Sequence, residues 1–325
     1  EEQVKAAGFE LGDIINIKIG EKVIEAPFVI TYGDVSKGKP LARISKGNLL
    51  FAINYGNFSE TYEARKEALV KVILKGKASY KEELEIRHLE RPIDRESYKS
   101  DEEFTNFRVV KYGDIANKVL YRSCHPAAKG DPRTLYGSNL VEEKGINTIV
   151  NLTDTEEDLE EDYECSQIYK EIGLKGNIIA VKMGLEPKSE TFCKQFNKVI
   201  KFMIVKEPPY LIHCMEGKDR AGIVSAIFEA AMGATLKEVE EDYMKSFENY
   251  YGIEAGDIKY SLIQKQFLDI LAEINDGAEV TEENIKAVIE SYLLEDVGLS
   301  EGELKELKDK LSRELISSEI NEVVM

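Results

Sequence analysis

The stretch His213-Cys-Met-Glu-Gly-Lys-Asp-Arg-Ala-Gly222 gathers a thiol, a guanidinium and two glycines in one short loop. The apolar run Pro209-Tyr-Leu-Ile212 leads into it, and Ile223-Val-Ser-Ala-Ile-Phe-Glu-Ala-Ala-Met232 leads out of it with the look of a helix. A strand-loop-helix turn of this kind aims several backbone N–H groups and a helix N-terminus at one point. Such a nest takes a tetrahedral oxyanion. Its positive field also favours the thiolate of a cysteine at its base, where Cys214 sits. Arg220 follows six residues on, so the loop can return its guanidinium over the same point. The planar fork of arginine suits two phosphate oxygens at once. Together these groups would transfer a phosphoryl group through a cysteinyl-phosphate.

On these residues the chain resembles the cysteine-dependent protein tyrosine phosphatase superfamily, whose signature is H-C-x5-R. The Gly217-Lys-Asp-Arg220 core is similar to the bacterial tyrosine/dual-specificity group with the loop H-C-x-x-G-K-D-R. Asn106-Phe-Arg108 and Leu120-Tyr-Arg-Ser123 resemble the segments that open that group's domain. Asp242-Tyr-Met-Lys-Ser246 and Val297-Gly-Leu-Ser-Glu-Gly-Glu-Leu304 resemble its later helical segments, so the likeness runs from about Phe104 to the end. The resemblance implies Cys214 as nucleophile and Arg220 as the phosphate-binding, transition-state-stabilising residue. It implies a cradle from the N–H groups of Met215, Glu216, Gly217, Lys218, Asp219 and Arg220. His213 would support the thiolate, and Lys218 would add charge beside the phosphate. Arg122, Ser123, Cys124 and His125 would flank the pocket, and Cys124 is a possible disulfide partner of Cys214. No cofactor or metal is implied. The substrate would be a phosphorylated protein, most simply at tyrosine, or an inositol phosphate or phosphoinositide.

The general acid must lie within hydrogen-bond reach of the leaving oxygen. Three carboxyls qualify, in the order Asp219 inside the loop, Asp154 after the strand Thr148-Ile-Val-Asn-Leu152, and Glu186 in Gly184-Leu-Glu-Pro187. One departure from the group's pattern stands out. Ala221, before Gly222, replaces the Ser or Thr that normally follows the arginine. That hydroxyl would steady the departing thiolate, so its loss points to slow breakdown of the phosphoenzyme, or to a phosphate-binding module with low turnover.

The elements that must hold this loop are legible as period changes. Val119-Leu-Tyr-Arg122, Thr148 to Leu152, Asn177-Ile-Ile-Ala-Val181 and Pro209 to Ile212 read as short buried strands. Phe192, Phe196, Val199, Ile200 and Met203 keep the spacing of one helical face, with Cys193 beside them as a small buried hydrophobe. Strands alternating with helices predict an α/β sheet with covered faces, which the resemblance would make phosphatase-like. From Thr235 the pattern is helical, with capping boxes at Thr235-Leu-Lys-Glu238 and Ser300-Glu-Gly-Glu303 and a stripe at Leu304, Leu307 and Leu311. Before Phe104 the chain reads differently. Ile14–Ile19, residues 22–26, Phe28-Val-Ile-Thr-Tyr32, residues 49–53 and residues 70–74 predict strands of a small β module. Residues 77 to about 103 read as a charged, partly helical connector. The domains expected are 1–95 and 96–325, with 236–325 the helical part of the second.

With 43 Lys and Arg against 61 Asp and Glu, the net charge of −18 excludes non-specific binding to nucleic acid or an anionic membrane. An anion site must be built locally, against that field. The acidic run from Asp154 to Glu164 reads as a solvated loop and helix face. Four cysteines without a C-x-x-C pair, and three histidines, make neither a disulfide scaffold nor a structural zinc site. The apolar runs are too short to span a bilayer. The β module and a first residue other than Met tilt the expectation of compartment toward export.

Overall fold

In the computed structural model residues 2–313 are described. The chain falls into two compact units, Glu1–Glu90 with Asp257–Leu262, and Arg91–Gly256 with Ile263–Met325.

In the first unit the alternating isoleucines do what their period dictates. Strand β1 (Ile14–Ile19) lies antiparallel between β2 (Lys22–Pro27) and β5 (Val70–Gly76). Ile15, Ile17, Ile24 and Ala26 turn to one side and share a core with Phe28 and Ala42. A second ribbon pairs β3 (Pro40–Ser45) with β4 (Asn48–Ile53). The strand expected at residues 28–32 does not form. Phe28 makes one bridge to Ala42, and then the Asp34 carboxylate accepts from the N–H groups of Ile30 and Thr31 and from the Thr31 hydroxyl. Those bonds curl the chain into a 3-10 turn at Tyr32–Asp34.

The second unit is built on a five-stranded sheet. Its strands are β6 (Arg108–Val110), β7 (Leu120–Ser123), β8 (Thr148–Asn151), β9 (Ile178–Ala180) and β10 (Tyr210–His213), in the order β6-β7-β10-β8-β9. All but β6 run parallel to their neighbours, and β6 closes one edge antiparallel. β10 is central and fully buried, as a strand of only apolar residues and one histidine requires. Register matters here. His213 lies opposite Ser123 on one side and Asn151 on the other. Three strands therefore end in line, and whatever follows each of them shares the carboxyl edge of the sheet, where open α/β sheets bind ligands.

Helices cover the sheet. The helix Glu190–Val205 buries Phe192, Phe196, Val199, Ile200 and Met203 on the face their spacing predicted, with Cys193 alongside. The helix Asp219–Ala231 leaves the end of β10 and is buried from Ala221 to Ala231. From Leu236 onward the described chain is helical, at Leu236–Tyr251, Ile258–Ile274, Ile285–Glu295 and Glu301–Ser312. Both capping boxes are formed, at Thr235 and at Ser300. Leu304, Leu307 and Leu311 are buried. No helix among the described residues is long and apolar enough to cross a membrane.

Candidate active site

The sequence between β10 and the following helix turns back on itself over Cys214, and two glycines permit it. Gly217 has φ +66°, and a Cβ there would lie 2.3 Å from the carbonyl of Ser123. A Cβ on Gly222 would lie 2.9 Å from both the Arg122 guanidinium and the Tyr243 ring. At each position only hydrogen fits.

The loop's carbonyls are tied away from the sulfur. Asn106 Nδ2 donates to Gly217 O at 3.1 Å, and Arg122 Nη2 donates to Gly217 O at 2.8 Å and Lys218 O at 2.9 Å. The Tyr250 hydroxyl donates to Glu216 O at 2.9 Å, and His125 N donates to Met215 O at 3.3 Å. A trans peptide points its N–H opposite its C=O, so four consecutive N–H groups, Glu216 to Asp219, face the other way. The helix Asp219–Ala231 begins at the end of this run, so its free N-terminal N–H groups continue it. Cys214 itself is buried.

What holds the tying residues is one buried network. Asp242 accepts from Arg108 Nε at 2.9 Å and from Arg122 Nη1 at 2.5 Å. Ser246 Oγ accepts from Asn106 Nδ2 and Arg108 Nη2. Asn106 reaches the loop from a left-handed turn, φ 52°. Burial alone would push the Asp242 carboxyl up, but the charges of Arg108 and Arg122 outweigh it and hold it below the usual aspartate range. Arg122 was expected to flank the pocket. It lies fully buried beneath the loop instead, as a brace, because its acceptors there are Asp242, Gly217 O, Lys218 O and Ser246 Oγ.

Arg220 sits in the first turn of the helix with Nη1 on Leu152 O at 3.1 Å, just past the end of β8. Lys218 does not face solvent. Its ammonium is 3.3 Å from Glu216 and 3.8 Å from Asp219, and it lies over the rings of Phe247 and Tyr251. Burial would lower its pKa, but the charges of Asp219, Tyr251 and Glu216 raise it overall. Glu216 is shared with Arg91 at 3.6 Å. Met215 is exposed at the rim.

The three candidate acids separate by environment. Asp219 keeps 43% of its side-chain surface in solvent, yet burial against the protein body, with Glu216 adding to it, raises its carboxyl above the ordinary value. Asp154 is held differently. Burial would raise it, but hydrogen bonds from His125 Nε2 at 2.8 Å and Asn151 Nδ2 at 2.9 Å, with Arg220 nearby, lower it and favour the carboxylate. Glu186 is exposed in the segment before the helix Glu190–Val205, and its carbonyl accepts from Ser189.

His125 is buried, with its ring stacked on that of Tyr169 and edge-on to that of His213. Its Nδ1 accepts from Ala127 N at 3.1 Å, so Nε2 carries the proton that goes to Asp154. Asp162 completes the group, with Oδ2 3.6 Å from His125 Nε2. Asp162 is buried, contrary to the solvated face expected for the acidic run, because the helix Leu159–Cys165 turns that one side inward under His125. The ligand atoms of His125, Asp154 and Asp162 lie within 4.8 Å of one another, a spacing suited to a metal. As hydrogen-bonded, however, both nitrogens of His125 are engaged, and neither offers a lone pair to a cation.

Cys124 follows Ser123 as Cys214 follows His213, so the register sets the two residues just past matching ends of adjacent strands. Both are free, and burial pushes the Cys124 thiol up to about 12. Three further residues of the site were missed from sequence: Asn151, Tyr169 and Tyr250. Asn151 was within reach of that reading, as the last residue of a parallel strand at the carboxyl edge.

Comparison with known proteins gives the chain a family. The model of a tyrosine phosphatase family matches residues 103–313. No curated protein matches the chain. Among solved structures, an uncharacterized conserved protein from Thermotoga maritima is 23% identical over 19% of this chain and 25% of its own, with a TM-score of 0.19. The match thus spans about a quarter of that protein's length. The core catalytic domain of the PP-IP phosphatase SIW14 from S. cerevisiae, solved with citrate, is 17% identical over 54% of this chain and 99% of its own, with a TM-score of 0.28. Likenesses this low carry no argument about the site. The family model covers most of the chain and all of the H-C-x5-R loop, and on that ground the chain belongs to the tyrosine phosphatase family, within the cysteine-dependent phosphatases.

Proposed function

We propose that the protein hydrolyses phosphotyrosine in proteins through a cysteinyl-phosphate on Cys214, as a member of the group with the H-C-x-x-G-K-D-R loop. What supports this reading is the run of N–H groups from Glu216 to Asp219, left unspent by a loop whose carbonyls are tied to His125, Asn106, Arg122 and Tyr250; with Cys214 at its base this run would be the cradle for the phosphate. In the first step the Cys214 thiolate attacks phosphorus and the ester P–O bond breaks. Arg220 and the loop N–H groups hold the equatorial oxygens, and Asp219 gives its proton to the leaving phenolate. In the second step water attacks the thiophosphate, Asp219 takes its proton, and the S–P bond breaks to return thiolate and phosphate. Asp219 suits this part because burial favours its protonated form, whereas His125 and Asn151 hold Asp154 as carboxylate.

Inositol phosphates are the second reading, since Lys218 beside Arg220 would make a more cationic loop suited to a polyphosphorylated substrate. Lys218 is committed to Glu216 and Asp219 under two rings, so it offers little charge to a second phosphate. This favours a substrate with a single phosphate. The test is a panel of phosphotyrosine, phosphoserine and phosphothreonine peptides, inositol hexakisphosphate and phosphoinositides, with wild type and Cys214→Ser. Highest kcat/KM on phosphotyrosine peptides, abolished by Cys214→Ser, is expected. Preference for an inositol phosphate would overturn the substrate, and activity surviving in Cys214→Ser would overturn the nucleophile. Asp219→Asn should slow poor leaving groups far more than nitrophenolate. An equal loss on both would assign the acid elsewhere.

A further inference from the structure

Asp219 stands where a carboxyl should be ionised. It is the first residue of the helix Asp219–Ala231, and a helix N-terminus favours an anion in its first turn. Of the four charged side chains that bear most on it, Lys218, Arg220 and Arg122 are cations, and each of them also favours the carboxylate. Glu216 is the one anion among the four. The proposed reaction needs the opposite form, a carboxyl that still holds its proton when substrate arrives. Burial supplies part of what is needed, but 43% of the Asp219 side chain stays in solvent.

The geometry of Glu216 shows how the rest is supplied. Its Oε2 lies 3.3 Å from Lys218 Nζ, and that ammonium is 3.8 Å from Asp219 Oδ2, so Lys218 leans to Glu216 and stays outside hydrogen-bond distance of Asp219. The rings of Phe247 and Tyr251 hold the ammonium there, with their centres 5.1 and 5.5 Å from it. Glu216 is itself fixed at both ends. The Tyr250 hydroxyl donates to its carbonyl at 2.9 Å, and Arg91 Nε lies 3.6 Å from its Oε1. Arg91 is held in turn by Asp131 at 3.1 Å and by the face of the Tyr250 ring. Charges of alternating sign thus run Asp131, Arg91, Glu216, Lys218, Asp219. Arg91 precedes the residues 103–313 matched by the family model, so the anchor of this line comes from outside them.

We propose that Glu216 is a positioning residue for the general acid: it draws the Lys218 ammonium onto its own carboxylate, and its charge keeps Asp219 in the proton-bearing form. The proposal rests on Asp219 being the acid. Without the Glu216 charge, the carboxylate left to Lys218 is Asp219, and closing that 3.8 Å gap would make an ion pair where a proton donor is required. The charged and titratable groups around the two acids are Arg91, Lys218, Tyr250 and Tyr251 at Glu216, and Lys218, Arg220, Arg122, Tyr243 and Tyr251 at Asp219.

Carbon-13 NMR of the aspartate carboxyls follows Asp219, whose signal is identified by its loss in Asp219→Asn. In wild type its titration midpoint should lie above the ordinary aspartate value, and a midpoint at or below that value overturns the proposal without any variant. Glu216→Gln keeps the shape and the main-chain N–H and removes the charge. Lys218 spans the two carboxylates, which therefore lie within about 7 Å of each other, so the Asp219 midpoint should fall by about one pH unit. The alkaline limb of kcat/KM for phenyl phosphate, a poor leaving group, should move down by the same amount, about a tenfold loss above the limb. The limb for nitrophenyl phosphate should move far less, since its leaving group needs little protonation. Adding Lys218→Met to Glu216→Gln should recover most of both shifts, because no ammonium is left to turn to Asp219. No recovery refutes the part given to Lys218, and an Asp219 midpoint unmoved in Glu216→Gln refutes the part given to Glu216. If the midpoint falls while the phenyl phosphate limb stays, it is the assignment of Asp219 as the acid that fails.

Discussion

Restoring a hydroxyl at position 221 should speed the enzyme. Ala221 is fully buried in the first turn of the helix after Arg220. A serine in a helix often spends its proton on the carbonyl three or four residues back. Here those carbonyls are Lys218 O and Gly217 O, and both are filled. Gly217 O accepts from Asn106 and Arg122, and Lys218 O accepts from Arg122 and from Gly222 N at 3.0 Å. The proton of a serine at 221 is therefore not claimed by the helix, and the family resemblance would give it to the Cys214 sulfur. Ser123 cannot already serve, since its hydroxyl donates to Cys124 O at 2.6 Å. A hydrogen bond to a charged group is worth about 1.5–3 kcal/mol, or about ten- to a hundredfold in the rate of thiolate departure. Rapid mixing of wild type with nitrophenyl phosphate should give a burst near one equivalent of nitrophenol per site. Ala221→Ser should raise the steady rate and shrink the burst. The reasoning fails if wild type shows no burst and Ala221→Ser gains nothing. Ser225, one turn on and buried without a partner, would then be the donor to examine.

Gly217→Ala should abolish binding of vanadate and phosphate while leaving the secondary structure intact, because a Cβ there meets the Ser123 carbonyl at 2.3 Å and must displace the loop; isothermal titration checks this. Asp242→Ala leaves Arg108 and Arg122 buried without their carboxylate, and should cost about 3–5 kcal/mol in urea unfolding along with most activity. Asp162→Asn tests a titration. Burial first, and then Asp154, Asp158 and Glu161 against His125, push the Asp162 carboxyl up to about 6 from 3.8. The native state holds this proton more tightly than the unfolded chain, so wild type loses stability as pH rises through about 6, and asparagine avoids the loss. Urea midpoints should show Asp162→Asn ahead by at most about 3 kcal/mol at pH 8 and level near pH 4. Equal stability at pH 8 would refute the shift.

The strand-loop-helix turn around Cys214 was legible because its requirements are local: an apolar strand, glycines where no Cβ fits, and a helix after the loop. The helix Glu190–Val205 and both capping boxes were legible for the same reason, since spacing along the chain decides them. What escaped depends on partners far away in sequence. The run 28–32 has strand composition, but a carboxylate at Asp34 captures its amides. Strand β3 was hidden by Pro40 and Arg43, and β6 by being three residues long at an edge. Arg122 looks like a pocket residue in a list and is a brace only because Asp242 comes back to meet it. Asp162 sits among acids that face water, and nothing local marks it as the one turned inward.

The brace under the loop also bears on the order in which this protein assembles. Asn106 reaches Gly217 across 111 positions of chain, and Arg122 reaches the same carbonyl across 95. Contacts of such long reach form late, since closing those loops costs entropy before any bond rewards it. A chain that has made its helices and paired its strands, but not yet brought Asp242 against the two arginines, has no anion site. Competence to bind phosphate should therefore appear together with the last cooperative step of folding, and bound phosphate should slow the first step of unfolding rather than hasten the earlier steps of assembly.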